Sequence, residues 1–252
     1  MLTLRHWPDA AIGMAMTHQL QNRLLQALPP ADLALLTPHL VPVSFERGAV
    51  AISVDEPFSH AYFPESGLAS IISKTQDQRN LEVGIFGRKG MGSTALVLGA
   101  DRTPHETEIQ VAGTWLRIEA ERLREAMRQS PVLTSLLMRY VQVFLLILSQ
   151  TALSNGSYTV EERLARWLLL AHDRLDGDEL PLTHEFLSPM LGVQRATVTL
   201  ATHTLEGEGM IWAKRGRIIV RDRTKLETAA GETYGIAERE YERLIGPFRS
   251  TT

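Results

Sequence analysis

Three side chains with hydrogen-bonding ends, Arg195, Thr199 and His203, recur at four-residue intervals in the stretch MLGVQRATVTLATHTLEGEGMI, and Gln194 stands just ahead of them. Between them Val198, Ala201 and Leu205 are spaced for the opposite, buried face of one helix. A short helix of this kind suits the major groove of a nucleic acid, about 12 Å wide, where base edges present donors and acceptors. After Gly209, the run IWAKRGRIIV alternates about Arg215-Gly216 and predicts a two-stranded hairpin with Lys214, Arg215 and Arg217 near its tip. From Leu182 to Lys225, seven Lys/Arg stand against four Asp/Glu in a chain of formal net charge −3. Phosphate attraction needs such a local excess, and the acidic total excludes a chain basic over its whole surface.

Positioning that helix is the task of the residues before it. Thr183 is placed to cap a preceding helix, and Gly192 supplies a turn conformation that residues with a Cβ resist. Pro189 falls late in that helix, where it removes a hydrogen bond, so the helix is expected to bend or end early. Upstream, VEERLARWLLLAHDRL predicts an amphipathic helix with Leu164, Trp167, Leu168 and Ala171 inward. Asn155–Ser157 reads as a break and hinge. Before it, a long helix runs from Pro131 to about Ser154, with Ser130 as N-cap and Pro131 in the first turn. Its apolar positions, Leu133, Leu136, Leu137, Tyr140, Val143, Phe144, Ile147 and Thr151, alternate by three and four. Two arrangements suit them: packing on the helix's own domain, or a parallel two-stranded coiled coil between subunits, which the length of the seam favours. The dimer contacts are then expected at Leu136, Tyr140, Val143 and Ile147.

The first half of the chain changes period. Leucines at 20, 24, 25, 28, 33, 35, 36 and 40 give two short helices broken at Pro29-Pro30. From Val41 to Ile118, short apolar stretches such as VPVSF, LEVGIF and ETEIQVAGTWLRI are punctuated by Gly, Pro and Asp, which predicts an antiparallel sandwich or roll. A chain of 252 residues with 44% hydrophobic content is long enough for two such domains. With no cysteine, disulfides, thiolate zinc sites and cysteine-held iron–sulfur clusters are excluded. The longest apolar run, VFLLIL, is six residues, so no membrane span is expected, and the first residues read as a loose tail instead of a signal peptide. GRKGMG lacks the Lys-Ser/Thr ending of a P-loop. No Ser/His/Asp set or carboxylate pair has usable spacing, so an enzyme is not expected. His60 and His105 stand apart from one another and make a poor haem or metal set.

The order of sheet domain, long helix and winged helix-turn-helix resembles the Crp/Fnr superfamily of bacterial transcription regulators over about residues 17–228. The resemblance is carried by VGIFGRKGMGS, VEERLARWLLLA and LTHEFLSPMLGVQRATVTLATHTL. It implies an α+β chain: an N-terminal cyclic-nucleotide-binding-type antiparallel β-roll, a long dimerisation helix and a C-terminal winged helix-turn-helix. The expected division is a tail at 1–16, an effector-sensing roll at 17–130, a dimerisation helix and hinge at 131–157, a DNA-binding domain at 158–228 and a C-terminal tail at 229–252. It further implies a cytoplasmic homodimer that binds double-stranded DNA at an inverted repeat and meets RNA polymerase. Carried over position by position, base reading falls on Gln194, Arg195, Ala196, Thr199 and Leu200, and phosphate contacts on Thr183, Thr197 and His203. The cyclic-AMP receptor proteins have Glu and Arg where this chain has Ala196 and Leu200, so a different half-site is expected.

Cyclic-nucleotide members of the superfamily hold the cyclic phosphate with a Gly-Glu pair and an Arg-Ser pair. Here the matching residues are Gly92-Ser93 and, after a small change of loop length, Arg102-Thr103. Arg102 can neutralise a phosphate and Thr103 can donate a hydroxyl, but Ser93 cannot replace a carboxylate that accepts from a ribose hydroxyl. The adenine-contacting positions fall on Leu148 and Ser149. The expected ligand is a cyclic nucleotide or another small effector, or none. The rival reading is a small-molecule-binding module whose winged helix makes protein contacts instead of reading DNA.

Overall fold

The computed structural model describes residues 20–74 and 80–248; the expected N-terminal tail lies outside them. Two short helices open the described chain, α1 (Arg23–Gln26) and α2 (Pro30–Leu36). Asn22 caps α1 through Leu25 N–H at 3.0 Å, and Pro30 supplies the first turn of α2. The roll follows as β1 (Val41–Phe45), β2 (Val50–Ile52), β3 (His60–Pro64), β4 (Leu68–Lys74), β5 (Asn80–Gly87), the single-turn α3 (Thr94–Val97), β6 (Glu106–Val111) and β7 (Gly113–Glu119). Its strands form two antiparallel sheets, ordered β1-β7-β3 and β2-β6-β4-β5. Alternation along each strand sends Ile52, Tyr62, Ala69, Phe86, Ile109 and Trp115 into the space between the sheets. Four aromatic rings, Phe45, Tyr62, Phe86 and Trp115, meet there with centroids 5.1–6.1 Å apart.

Helix α4 (Ala120–Gln129) leads into α5 (Pro131–Ser157). The expected N-cap is observed: Ser130 Oγ accepts from Leu133 N–H at 2.9 Å. The expected break at Asn155–Ser157 is not. Helix α5 continues through all three residues, and Tyr158 N–H still reaches Ser154 O at 3.2 Å. Gly and Asn each cost at most about 1 kcal/mol in a helix interior, which a helix of 27 residues absorbs in its last turn. The chain turns instead at Tyr158-Thr159, where a capping box of Thr159 and Glu162 starts α6 (Val160–His172).

The remaining elements are β8 (Glu179–Leu180), α7 (His184–Leu191), α8 (Arg195–Gly207), β9 (Ile211–Lys214), β10 (Arg217–Val220), α9 (Arg223–Ala230) and α10 (Ile236–Leu244). The wing has three strands where the sequence predicted two, because β8 pairs with β10 through Ile218↔Leu180 and Ile219↔Glu179. Leu164, Leu168, Leu187, Val198, Ala201, Leu205 and Ile218 form the core of this domain. That core also takes in Leu68, Ile72 and Ile85 from the outer face of the larger roll sheet, so the two domains share one apolar interior.

The stretch expected as a C-terminal tail is packed as far as residue 248. Helix α10 lies against α5, and Ala237, Tyr241 and Phe248 join the core of the N-terminal half. The same packing corrects the expected dimer contacts: Leu136, Tyr140, Val143 and Ile147 are all buried within the chain's own fold. The opposite side of α5 is exposed at Ser135, Met138, Gln142, Leu145, Ser149 and Ala152, a strict three-four alternation. Among the described residues α5 alone has the length and apolar composition to cross a bilayer, yet its inner side is core.

Candidate nucleic-acid interface

Helix α7 is the platform on which the candidate reading helix stands. Thr183 Oγ1 accepts from Phe186 N–H at 3.2 Å, so its hydroxyl caps α7. Pro189 lies inside α7, which nevertheless runs on to Leu191. The missing N–H falls near the exposed end, and Gly192 then closes the helix at φ 62°, ψ 34°. Val193 N–H returns to Ser188 O at 3.1 Å, and the chain re-enters helical geometry at Arg195.

Helix α8 is held from below by Val198, Ala201, Thr202 and Leu205, all essentially without exposure. Gln194 is its N-cap by position, but its side chain makes no cap bond, and Arg195 makes no ion pair among the described residues. Both are exposed, as are Ala196, Leu200 and His203, while Thr197 and Thr199 are half-buried. Thr199 is less available than its spacing suggested. Its hydroxyl sits 3.0 Å from Arg195 O and 3.1 Å from His184 Nδ1. Burial, and then the charges of Arg195 and His203, hold His184 below the usual imidazole value. The residue beside Thr199 is therefore a largely neutral ring at neutral pH. That contact was not visible in the sequence, where His184 is fifteen residues away.

On the wing, the turn at Arg215-Gly216 is exposed, with Gly216 at φ 80°. The Lys214 ammonium lies 3.9 Å from the ring centre of exposed Trp212. Arg217 is paired with Glu179 at 2.9 Å, and Lys225 closes the end of α8 through Glu208 O at 3.0 Å. Arg223 is tied to Asp173, Glu227 and the Tyr234 hydroxyl. The seven basic residues of this segment thus divide in two. Arg217, Arg223 and Lys225 are engaged within the domain, whereas Arg195, Lys214, Arg215 and Arg221 are exposed and make no ion pair among the described residues.

The residues matched to a cyclic-nucleotide pocket do not offer free polar groups to a common ligand. Ser93 is buried at φ 64°, and its hydroxyl donates to His60 O at 3.1 Å. A Cβ on Gly92 would meet the Phe86 ring at 3.0 Å. Arg102 is exposed and paired with Asp101 at 3.0 Å, while Thr103 Oγ1 accepts from His105 N–H at 3.3 Å. Leu148 faces Gly84 of β5, and Ser149 lies on the exposed side of α5, its hydroxyl donating to Leu146 O at 3.0 Å. No cluster of three or more His, Asp or Glu side chains placed to hold a metal ion occurs among the described residues.

A further group was missed in the sequence. Glu82 on β5 is buried at the junction between the roll and the winged-helix domain, where it accepts from Trp167 Nε1 at 2.8 Å and from the Ser70 hydroxyl. Burial pushes its carboxyl up to about 7, against the pull of those two bonds and of Arg166 and Arg174. Nearby, Arg47 lies 5.1 Å from the Phe186 ring, and the Arg163 guanidinium donates to Leu191 O, the last residue of α7. The platform of the reading helix is thereby fastened to the chain's own roll.

The family of Crp-like helix-turn-helix domains matches residues 162–229, which span α6 through α9. Over 216 residues the chain is 26% identical to a CRP-like cAMP-activated global transcriptional regulator of Mycobacterium tuberculosis, covering 82% of this chain and 96% of that protein. Residues 162–229 thus form a Crp-like helix-turn-helix domain, in a chain similar over most of its length to a CRP-like regulator. Solved structures agree on the fold. FixK2 from Bradyrhizobium japonicum superposes with a TM-score of 0.66 at 18% identity, over 76% of this chain and 98% of that one. The c-di-GMP responsive global regulator CLP of Xanthomonas campestris does so with a TM-score of 0.61 at 19% identity, over 76% and 99%. The roll, long helix and winged helix described above are thus an architecture that this chain shares with those solved structures.

Proposed function

We propose that this chain is a homodimeric, sequence-specific DNA-binding regulator acting in the cytoplasm, with α8 in the major groove and the wing on the backbone. The observation that carries the reading is the start of α8. Gln194 and Arg195 are exposed and uncommitted at the end of a helix whose other side is fixed in the core. Arg195 is suited to a bidentate contact with guanine, and Ala196 to the methyl of a thymine. Thr183, Thr197 and His203 flank that reading edge, and Lys214 and Arg215 supply phosphate contacts from the wing. Arg217 contributes less, being paired with Glu179.

Two copies joined along the exposed side of α5 present two reading helices to an inverted repeat, with half-sites about one helical turn apart. In that arrangement the chain acts on transcription through RNA polymerase. Control by a cyclic nucleotide at the matched positions has little support, since Ser93, Arg102, Thr103 and Ser149 each have a partner within the chain.

Selection of bound duplexes from a random pool, with and without cyclic AMP and cyclic di-GMP, tests the reading. The expected result is one inverted repeat, recovered equally under all three conditions. Replacing Arg195 by Ala should weaken binding to that repeat by about 1–3 kcal/mol, leaving non-specific binding nearly unchanged. A Lys214/Arg215 double Ala variant should weaken both kinds of binding and flatten the salt slope. A second reading, protein contacts by the winged helix, is favoured by Leu200 at 66% and Trp212 at 46% exposure on the same surface. It predicts no shift of any duplex at physiological salt.

A further inference from the structure

The glycine-rich loop at the end of β5, Gly87-Arg88-Lys89-Gly90-Met91-Gly92, is not a P-loop, but it delivers a lysine to an enclosed place. A Cβ on Gly90 would fall 2.0 Å from the Tyr140 hydroxyl, and one on Gly87 would fall 3.0 Å from Arg174 Cβ. The glycines let the loop close over α5 and over the residues following α6. At this three-way junction with α10 lies a cavity of about 10 Å³, bordered by Lys89, Tyr140, Arg174, Glu238, Tyr241 and Phe248.

Its wall is rich in donors that lack acceptors. Arg174 is 3% exposed, and while one Nη donates to Leu170 O at 2.7 Å, Nε finds no acceptor among the described residues. Tyr241 is 2% exposed, and its hydroxyl has no partner there either. The Tyr140 hydroxyl reaches only Met91 O, at a long 3.5 Å. Lys89 makes no ion pair or hydrogen bond among the described residues, and its ammonium rests 3.7 Å from the centre of the Phe248 ring. The one carboxylate on the wall, Glu238, is turned to the backbone of Gly235 at 2.8 Å, where it caps α10. Buried polar groups are nearly always paired, and buried cations almost without exception.

We propose that Lys89, Arg174 and the Tyr140 and Tyr241 hydroxyls form a site for a compact inorganic anion, joining the roll, α5 and α10. The size of the cavity sets the ligand class, since it holds a single particle about as large as a water molecule. A halide enters with slight movement of the wall, whereas a phosphate requires Phe248 to swing away from Lys89. The ion accepts charge-assisted hydrogen bonds from the ammonium and the guanidinium. Lys89 also titrates in a useful range. Burial lowers it to about 7, the charges of Arg174, Arg223 and Arg88 act in the same direction, and Asp173 opposes them. On the other walls Tyr140 and Tyr241 are held protonated by burial, and Glu238 faces Arg166. The anion therefore binds the protonated lysine and is released as the pH rises.

The test is thermal unfolding of the full chain at constant ionic strength, exchanging sodium gluconate, too large for the cavity, for sodium chloride or sodium phosphate. The expected result at pH 6 is a rise of about 3 °C at ten times the dissociation constant, growing with the logarithm of the anion concentration above it and shrinking towards pH 9. A rise with chloride identifies a halide-sized ion, and one with phosphate alone identifies an oxyanion admitted by movement of Phe248. Lys89→Met should abolish the response, and Tyr241→Phe, which removes only a hydroxyl, should weaken affinity by about 10-fold. No dependence on the anion in the wild-type chain would overturn the proposal and leave a water-filled cavity. So would an equal response in both variants.

Discussion

The two sides of α5 differ in composition and in what covers them. On the inner side Leu136, Tyr140, Val143, Phe144 and Ile147 are covered by β5, α3 and α10. On the outer side Met138 and Leu145 are 51% and 52% exposed, separated by Ser135, Gln142 and Ser149 at the alternate positions. The inner side is packed as a core, where shape and volume matter. The outer side has the spacing of a coiled-coil seam with polar residues at every second step, which lowers stability but fixes register. On the proposed reading α5 serves the fold with one face and assembly with the other, and substitutions should separate the two.

The largest effect should come from Phe144→Ala on the inner side, which should lower unfolding free energy by about 3–5 kcal/mol in urea melts. A loss below about 1 kcal/mol would show that this face is not core. Next is Leu145→Lys, one residue away. It should raise the dimer dissociation constant at least about 30-fold in sedimentation runs, equivalent to about 2 kcal/mol. Measured where the protein is already dissociated, its stability should stay within about 0.5 kcal/mol of wild type. If instead the variant unfolds and the dimer persists, the assignment of the two faces is reversed.

A third effect concerns the junction between the roll and the winged helix and is confined to a pH window. Glu82 has a carboxyl near 7 in the folded chain, against 4.5 ordinarily. The fold favours its protonated form, so this contribution to stability is complete below about pH 4.5 and is lost as pH rises through about 7. Glu82→Gln keeps an acceptor for Trp167 and a polar contact to Ser70. Its urea midpoint should be flat across that window and exceed wild type at pH 8. A wild-type midpoint that rose from pH 5 to 8 at this site would contradict the assignment.

The legible parts were those set by local pattern. The glycine turn, the capped platform helix and the buried stripe Val198–Ala201–Leu205 all follow from short-range spacing, and the structure places them as read. Parts set by distant contacts were not legible. The expected dimer seam on α5 fell on the side that the chain's own fold buries, because the more apolar three-four stripe is the one that packs on β5, α3 and α10. The side that meets β5 is fixed by Gly84, whose missing Cβ leaves room for Phe144 and Leu148. Strand β8 is only two residues long, too short for a period to register. Helix α10 carries Ala237, Tyr241 and Leu244 towards the core, but the charged residues between them give the segment the look of a tail. The basic count over the winged helix overstated its free charge, since Arg217 and Arg223 have acidic partners far away in sequence.

The continuity of α5 through Asn155-Gly156-Ser157 has a mechanical consequence. An unbroken helix of 27 residues is a rod roughly 40 Å long. Near the rod's end, Arg166 ties α6 to Ile147 O and Thr151 of α5. A tilt of about 5° at one end of such a lever displaces the other by about 3.5 Å, close to the rise of roughly 3.4 Å per base along one DNA strand. In the proposed dimer, small rotations between two paired rods would thus be magnified to the spacing of the lattice that their far ends must match.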